Sequence, residues 1–333
     1  MSKRRINKQQ STRIAKQHQN YRQLHENNSD KTLCEGLVIT RYSRHAHIED
    51  QEGHAVHCAI RPNLNSMVAG DRVIWQPEGP GQGIVLSVYP RKSVLGRPDA
   101  QGHVKAIAAN ISQIMIVIAP APAVSWLLLD SYLVMAEHLN IQPFIILNKS
   151  DLGIEDIRQF LLQHYEPLGY PLLFTNIKSQ ELNTLQKSLR NQVSVFVGQS
   201  GVGKSSLIRY ILPHEVARIQ TGEISAQSQF GCHTTSNSHL YHLPSGGDLI
   251  DSPGVREFSL WSMSQPMIAA GFREFKPYIS HCKFRNCTHS NTPNCAVLDA
   301  VKTHQISLKR YENYVKMITN GNLGQKSSSV TQE

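Results

Sequence analysis

The chain has 333 residues, 40% of them hydrophobic, a net charge of +9 at neutral pH and six cysteines. That length suits two or three globular domains, and the apolar content matches a soluble protein rather than a membrane or disordered one. No apolar run reaches the ~18 residues of a membrane span; the longest, Ile114 to Ala119, is cut by Pro120 and Pro122. The first 32 residues lack an apolar signal core, so a cytoplasmic protein with reduced thiols is expected.

In chain order, residues 1–32 read as a basic tail. Eight Lys and Arg against Glu26 and Asp30 give net +6 within residues 1–31. Such a segment buries too little apolar surface to offset its ordering entropy, so it is expected to be disordered when free. It suits either solubilisation or an arm that gains affinity by counterion release from nucleic-acid phosphates. Residues 33–95 read as short strands, at Gly36–Tyr42, Ala55–Ile60, Arg72–Trp75 and Gly83–Val88, separated by turn residues. This pattern predicts a small barrel, of which an OB-fold is one form.

Residues 96–272 change rhythm. Strands are predicted at Ile111–Ala119, Pro143–Leu147, Pro171–Phe174 and Val193–Val197, then at Ser238–Leu243 and Asp248–Ile250. Between them come helical stretches at Trp126–His138, Glu155–Tyr165, Glu181–Arg190 and Lys204–Leu212. Alternating strand and helix with apolar strands means a largely parallel sheet covered on both faces, an α/β class. Thr221 to Asn237 is polar and occupies the position of a switch loop. Residues 273–319 are helical and cysteine-bearing, and 320–333 read as a polar, disordered tail.

Gly198-Gln199-Ser200-Gly201-Val202-Gly203-Lys204-Ser205 follows a predicted strand and opens a predicted helix. Its glycines let backbone N–H groups converge on phosphate, and the helix N-terminus adds favourable dipole. Lys204 is the candidate bridge between β- and γ-phosphates and Ser205 a candidate Mg²⁺ ligand, with Ser206 beside it. Asn148-Lys149-Ser150-Asp151 follows an apolar strand and has the form of a guanine-reading NKxD element. A buried Asp151 carboxylate accepts from guanine N1–H and N2–H₂, which adenine lacks, so the wrong base leaves it unpaired. Asn148 is expected to contact the base and tie loops together, and the Lys149 stem to cover the base. Phe174-Thr175-Asn176 falls where a fifth nucleotide element belongs but fits it poorly. Asp251-Ser252-Pro253-Gly254 matches DxxG, with Asp251 near Mg²⁺ and the Gly254 N–H on the γ-phosphate.

NKxD precedes the phosphate loop by about 50 residues, the reverse of the usual order. A circularly permuted GTPase domain follows, with GTP/GDP and Mg²⁺ as ligands. Thr234 and Thr235 are alternative switch threonines for Mg²⁺. Val255 stands where Ras-like enzymes carry a water-orienting Gln, and an apolar side chain cannot orient water. Unaided hydrolysis is therefore expected to be slow, with His233 a candidate to position water once a partner orders the loop.

Cys282-x4-Cys287-x-His289-x5-Cys295 has the ligand types and close spacing of a structural Zn²⁺ site. His281 competes with His289 for the fourth place. Cys34, Cys58 and Cys232 show no ligand spacing, and His45, His47, His54 and His57 read as surface residues.

From about residue 33 to 319 the chain resembles the bacterial circularly permuted GTPases that depend on the small ribosomal subunit, the ribosome biogenesis GTPase A or YjeQ/RsgA family. The likeness rests on Arg91-Lys-Ser-Val-Leu-Gly-Arg97, Ala108-Ala-Asn-Ile111, Asn148-Lys-Ser-Asp151, the phosphate loop, Gly231-Cys-His-Thr-Thr-Ser236, Asp251-Ser-Pro-Gly-Val-Arg-Glu-Phe258 and the Cys/His cluster. The resemblance implies an N-terminal OB-fold, a permuted GTPase and a C-terminal zinc domain. It implies binding to the small subunit and its rRNA, action late in that subunit's maturation, and GTP hydrolysis stimulated by it. It also implies an apolar residue at Val255 and a switch histidine at His233. Cys232 stands where the family usually has Arg. A monomer with no membrane association is expected. Other readings of the same residues are an RNA-binding scaffold with a structural nucleotide, and a GTP switch acting on translating ribosomes.

Overall fold

The computed structural model describes residues 16, 19–23, 32–64, 66–98, 104–176, 182–212, 238–251 and 263–326. Five strands form the N-terminal barrel: β1 (Cys34–Tyr42), β2 (His45–Glu49), β3 (Ala55–Ile60), β4 (Arg72–Gly79) and β5 (Gln82–Val88). They pair in the order β1-β2-β3-β5-β4, and β4 returns to β1, so the barrel closes. β3 and β5 run parallel and the other pairs antiparallel. This is the topology of an OB-fold. Inward residues Val38, Ile48, Val56, Cys58, Val73, Trp75 and Val85 fill it, as period-two alternation requires. Residues 19–23 of the basic tail are helical, and Tyr21 packs beside Leu33, Ile74 and Leu86 on the barrel.

β2 is an additional strand, absent from those expected of the sequence. Its alternation, with Ala46 and Ile48 buried between half-exposed or exposed polar residues, was the available signal. A hairpin of β6 (Val94–Pro98) and β7 (Val104–Ala109) follows, and it spans the expected boundary at 95/96. Here two of the resembling motifs act as fasteners. Arg91 donates from Nε to Asp71 Oδ1 at 2.7 Å and from NH2 to Oδ2 at 2.8 Å, with Asp71 fully buried. Asn110, at φ 58°, accepts from Lys92 N at 2.9 Å and donates to Gly70 O at 2.8 Å.

The central sheet comprises β8 (Gln113–Ile118), β9 (Gln142–Asn148), β10 (Leu172–Thr175), β11 (Val193–Val197), β12 (His239–His242) and β13 (Asp248–Asp251). Its order is β10-β9-β8-β11-β13-β12, parallel except for β12. Helices α1 (Trp126–Leu139) and α2 (Glu155–His164) cover one face, with Leu129, Tyr132, Leu133 and Leu161 in its core. Helices α3 (Leu182–Leu189) and α4 (Lys204–Ile211) cover the other, through Leu182, Leu185, Leu207 and Ile211. β1 continues the sheet beyond β12 at Thr40↔His239, so barrel and sheet share one hydrogen-bonded ladder.

The C-terminal unit holds α5 (Gln265–Ala270), α6 (Lys276–Ile279), α7 (Ala296–Lys302) and α8 (Leu308–Lys326). Its core already includes Ile268, Ala269 and Phe272, so it begins before the expected boundary at 273. α8 runs past Thr319 to Lys326, into the segment expected to be a disordered tail. Val134 of α1 belongs to this same core, and Gly271 packs against it: a Cβ there would lie 2.6 Å from Val134 Cγ1. Among the described residues, no helix is long and apolar enough to cross a membrane.

Candidate nucleotide site and metal cluster

Parallel pairing brings the C-terminal ends of β8, β9, β11 and β13 to one rim of the sheet, the edge where α/β folds bind ligands. The phosphate loop leaves β11 there and NKxD leaves β9. The backbone needs its glycines. Gly198 has φ +135°, and a Cβ would lie 2.1 Å from Val117 O; Gly203 has φ +98°, and a Cβ would lie 2.3 Å from Asn148 Nδ2. Neither place admits another residue without the loop moving.

The two motifs, separated in sequence, are bonded to each other. Asn148, 1% exposed, donates from Nδ2 to Val202 O at 2.9 Å and accepts at Oδ1 from Thr175 Oγ1 at 3.1 Å. Lys149, at φ 61°, donates from Nζ to Gly201 O and Ala121 O, both at 2.7 Å. Thr175 thus joins the site from β10, giving the poorly matching fifth element a defined partner. Lys204 is buried and donates from Nζ to the carbonyls of Gly198 and Gln199. Ser205 and Ser206 lie in the first turn of α4, half-buried, and Ser200 and Gly201 are exposed at the loop's tip. Asp251 ends β13, one position beyond the pair Val195↔Ile250, and so sits beside the strand that feeds the phosphate loop.

One expectation needs correction. Asp151 is exposed, in the middle of a three-residue 3-10 turn, rather than buried. Rejection of the wrong base by an unpaired buried carboxylate therefore operates only when the base itself covers Asp151. Asn148 is the buried member, and its bonds to Val202 and Thr175 make it the residue that ties loops together. His233, Thr234, Thr235, Gly254, Val255 and Cys232 lie outside the described residues.

Two contributors to the loop escaped the sequence reading. Gln199 Oε1 accepts from the backbone N–H of Ser125, the N-cap of α1, at 3.0 Å. The Tyr132 hydroxyl is hydrogen-bonded by the backbone of Gly198; burial, opposed by that bond, pushes its pKa up to about 12. The first could have been sought at the Ser125-Trp126 helix start; an inward tyrosine in an apolar helix carries no such local mark.

The cysteine cluster forms as expected. One ligand atom from each of Cys282, Cys287, His289 and Cys295 lies within 4.8 Å of the others. Cys282 Sγ is 3.8 Å from Cys295 Sγ, and His289 Nδ1 is 3.6 Å and 3.5 Å from the two sulfurs. A tetrahedron with metal–sulfur bonds of ~2.3 Å has edges of about 3.8 Å, so the spacing suits a four-coordinate ion. Burial lowers the His289 pKa, which keeps the imidazole neutral and able to ligate. Tyr314 Oη donates to Thr288 O at 2.7 Å and Tyr311 Oη to Ser290 O at 3.1 Å, bracing the backbone on either side of His289. His281 is exposed and bonded to Pro277 O at 2.9 Å, outside the cluster. Cys58 is a packing residue of the barrel core, its thiol pushed up to about 12, chiefly by burial.

A family model described as RsgA GTPase matches residues 88–261. A relative named small ribosomal subunit biogenesis GTPase RsgA, from Pectobacterium carotovorum, is 43% identical over 334 residues, covering 96% of this chain and 95% of its own. Among solved structures, YjeQ from Thermotoga maritima superposes with a TM-score of 0.72 at 29% identity, over 87% of this chain and 98% of that one. The circularly permuted GTPase YloQ gives 0.69 at 27% identity, over 88% and 96%.

Proposed function

Because this chain belongs to the RsgA GTPase family, we propose that it binds the small ribosomal subunit and its rRNA, assists that subunit's late maturation, and hydrolyses GTP when the subunit stimulates it. It does so as a cytoplasmic monomer. The observation that carries this reading is the union of base-reading and phosphate-binding motifs through Asn148–Val202 and Lys149–Gly201. GTP or GDP would be held by Asn148, Lys149 and Asp151 at the base and by Gly198 to Ser206 at the phosphates. Ser205 and Asp251 would hold Mg²⁺, whose charge offsets that developing on the phosphates. Cys282, Cys287, His289 and Cys295 would hold one structural Zn²⁺, leaving no open catalytic position.

The chain's own part in hydrolysis is positional. Lys204 is buried beside the loop carbonyls, ready to exchange them for phosphate oxygens. Val255 orients no water, so turnover waits on the subunit to order the switch, where His233 places water. DxxG leads directly into the C-terminal unit, so release of the γ-phosphate at Gly254 shifts that unit and lowers subunit affinity. The barrel, basic tail and C-terminal unit contact rRNA by shape and phosphate.

GTP turnover by the purified protein alone, with small subunits, and with large subunits as control tests the reading. Stimulation by small subunits only is the expected result; equal turnover in all three sinks it. His233→Ala should abolish most of the stimulation while leaving GTP binding intact, and undiminished stimulation would remove His233 from the mechanism.

A further inference from the structure

Helix α1 touches the phosphate loop along its N-terminal half and the C-terminal unit along its flank. Ser125, at its N-cap, holds the Gln199 side chain, and Tyr132 takes the Gly198 hydrogen bond. These four residues line one cleft between helix and loop, with Leu128 and Leu129. Asp130, between them in sequence, faces the other way and is fully buried. It accepts from Arg310, from Asn313 Nδ2 at 2.6 Å and from Tyr165 Oη at 3.0 Å. Arg310 also grips Glu274 through Nε and, at 3.0 Å, through NH2, and its guanidinium lies over the rings of Tyr165 and Phe272. Further along, Glu137 accepts from Arg273 at 2.6 Å and Lys276 at 2.8 Å. Every one of these cations and Asn313 comes from the C-terminal unit.

A buried ion cluster adds little net stability over apolar side chains of the same volume. What it does impose is a single geometry, because each buried lone pair and proton must find its partner. A rigid secondary element is one of the carriers of coupling between sites packed against it. A displacement of α8 against Asp130 is therefore felt at Tyr132 and Ser125, and from there at Gly198 and Gln199.

We propose that α1 is a lever between the metal-bearing C-terminal unit and the phosphate loop, in which Asp130, Arg310 and Asn313 are positioning residues that set Gly198 and Gln199 for nucleotide. This route is separate from the one through Gly254. It makes nucleotide affinity responsive to whatever the C-terminal unit binds, and by reciprocity makes that unit's affinity responsive to nucleotide.

The test is a double-mutant cycle on the full chain, read as the affinity for N-methylanthraniloyl-GDP with no ribosomal subunit present, so its outcome is independent of the proposed subunit activation. One arm is Asn313→Ala, which removes a single bond to Asp130 and leaves Arg310 in place. The other is Tyr132→Phe with Gln199→Ala, which cuts both links from α1 to the loop. Asn313→Ala should weaken binding by about 5-fold, the low end of allosteric couplings, with bound zinc per chain and melting cooperativity unchanged. In the uncoupled background its effect should fall below about 2-fold. The same loss in both backgrounds, or no loss from Asn313→Ala alone, overturns the proposal. If Asn313→Ala does not fold, Asp130→Asn enters the cycle under the same criterion.

Discussion

The GTPase core is held on two sides by joints whose charge pairs differ in burial. On the barrel side, β1 meets β12 at one register pair, and Thr40 Oγ1 donates to Ser238 O at 3.0 Å. His242 then bridges Asp248 at 2.7 Å and Glu49 at 2.9 Å, with its side chain 49% exposed. On the C-terminal side, Arg310 and Asp130 are 1% and 0% exposed, and Val134 sits in the partner's hydrophobic core. Both joints use charge pairs. Placed in water, a pair is a weak catch that salt and protons loosen. Placed in a dry interior, it fixes one arrangement and becomes costly to break from one side only.

The largest effect should come from Arg310→Met, which leaves Asp130 and Glu274 buried without their cation. A loss of about 3–5 kcal/mol is expected for such a half-broken buried cluster, measured by urea unfolding followed by circular dichroism. A loss near zero would mean that water reaches the cluster and that the two joints are alike. Thr40→Val should cost about 1 kcal/mol, the value of one hydrogen bond with its acceptor left unpaired. If it costs as much as Arg310→Met, the ladder rather than the buried cluster is the stronger bond. The smallest effect belongs to His242. Its hydrogen bond to Asp248, against burial and with help from Glu49, lifts the imidazole to about 9 from an ordinary value of 6.5. A raised folded-state pKa contributes stability that is complete below about 6.5 and fades as pH rises through about 9. The melting temperature of the protein should therefore exceed that of His242→Gln at pH 6, with the gap closing by pH 10. A gap that is constant across that range would show that the imidazole acts by packing alone.

What could be read from the sequence follows how local each signal is. The phosphate loop, NKxD and the Cys/His cluster are contiguous runs whose chemistry dictates their spacing; the structure joins the first two through Asn148 and Lys149 and gathers the four Cys/His ligand atoms within 4.8 Å of one another. Most strands of the central sheet are apolar runs bounded by polar turns, and their observed ends lie within two residues of those expected. β2 was legible through its alternation but hidden by three charged or histidine side chains in five residues. The buried cluster was not legible. Asp130 stands in a largely apolar stretch, and its partners Arg310 and Asn313 lie 180 and 183 residues away. Only the i, i+3 placement of Arg310 and Asn313 on one face of α8 hints that they serve one acceptor. Asp151 misled for the converse reason. Its motif implies the contact it makes to a bound base, whereas its own backbone leaves it in solvent.

The ladder between barrel and sheet carries a consequence for synthesis. β1 is made early, but its partner Ser238 emerges 198 residues later. At ~5–20 residues per second, that distance is roughly 10–40 s on a translating ribosome. For that interval the end of β1 beyond Val38, whose backbone is bonded to Gly70 and Asp71, has β2 on one side and still lacks β12 on the other. An unpaired strand edge invites pairing with another chain, and charged side chains are the usual deterrent. Arg41 and Arg44 stand at that end of the strand, and Arg41 donates to Met67 O and Ser43 O. These contacts all lie within the barrel, so the guard over the nascent edge is complete before the partner strand exists.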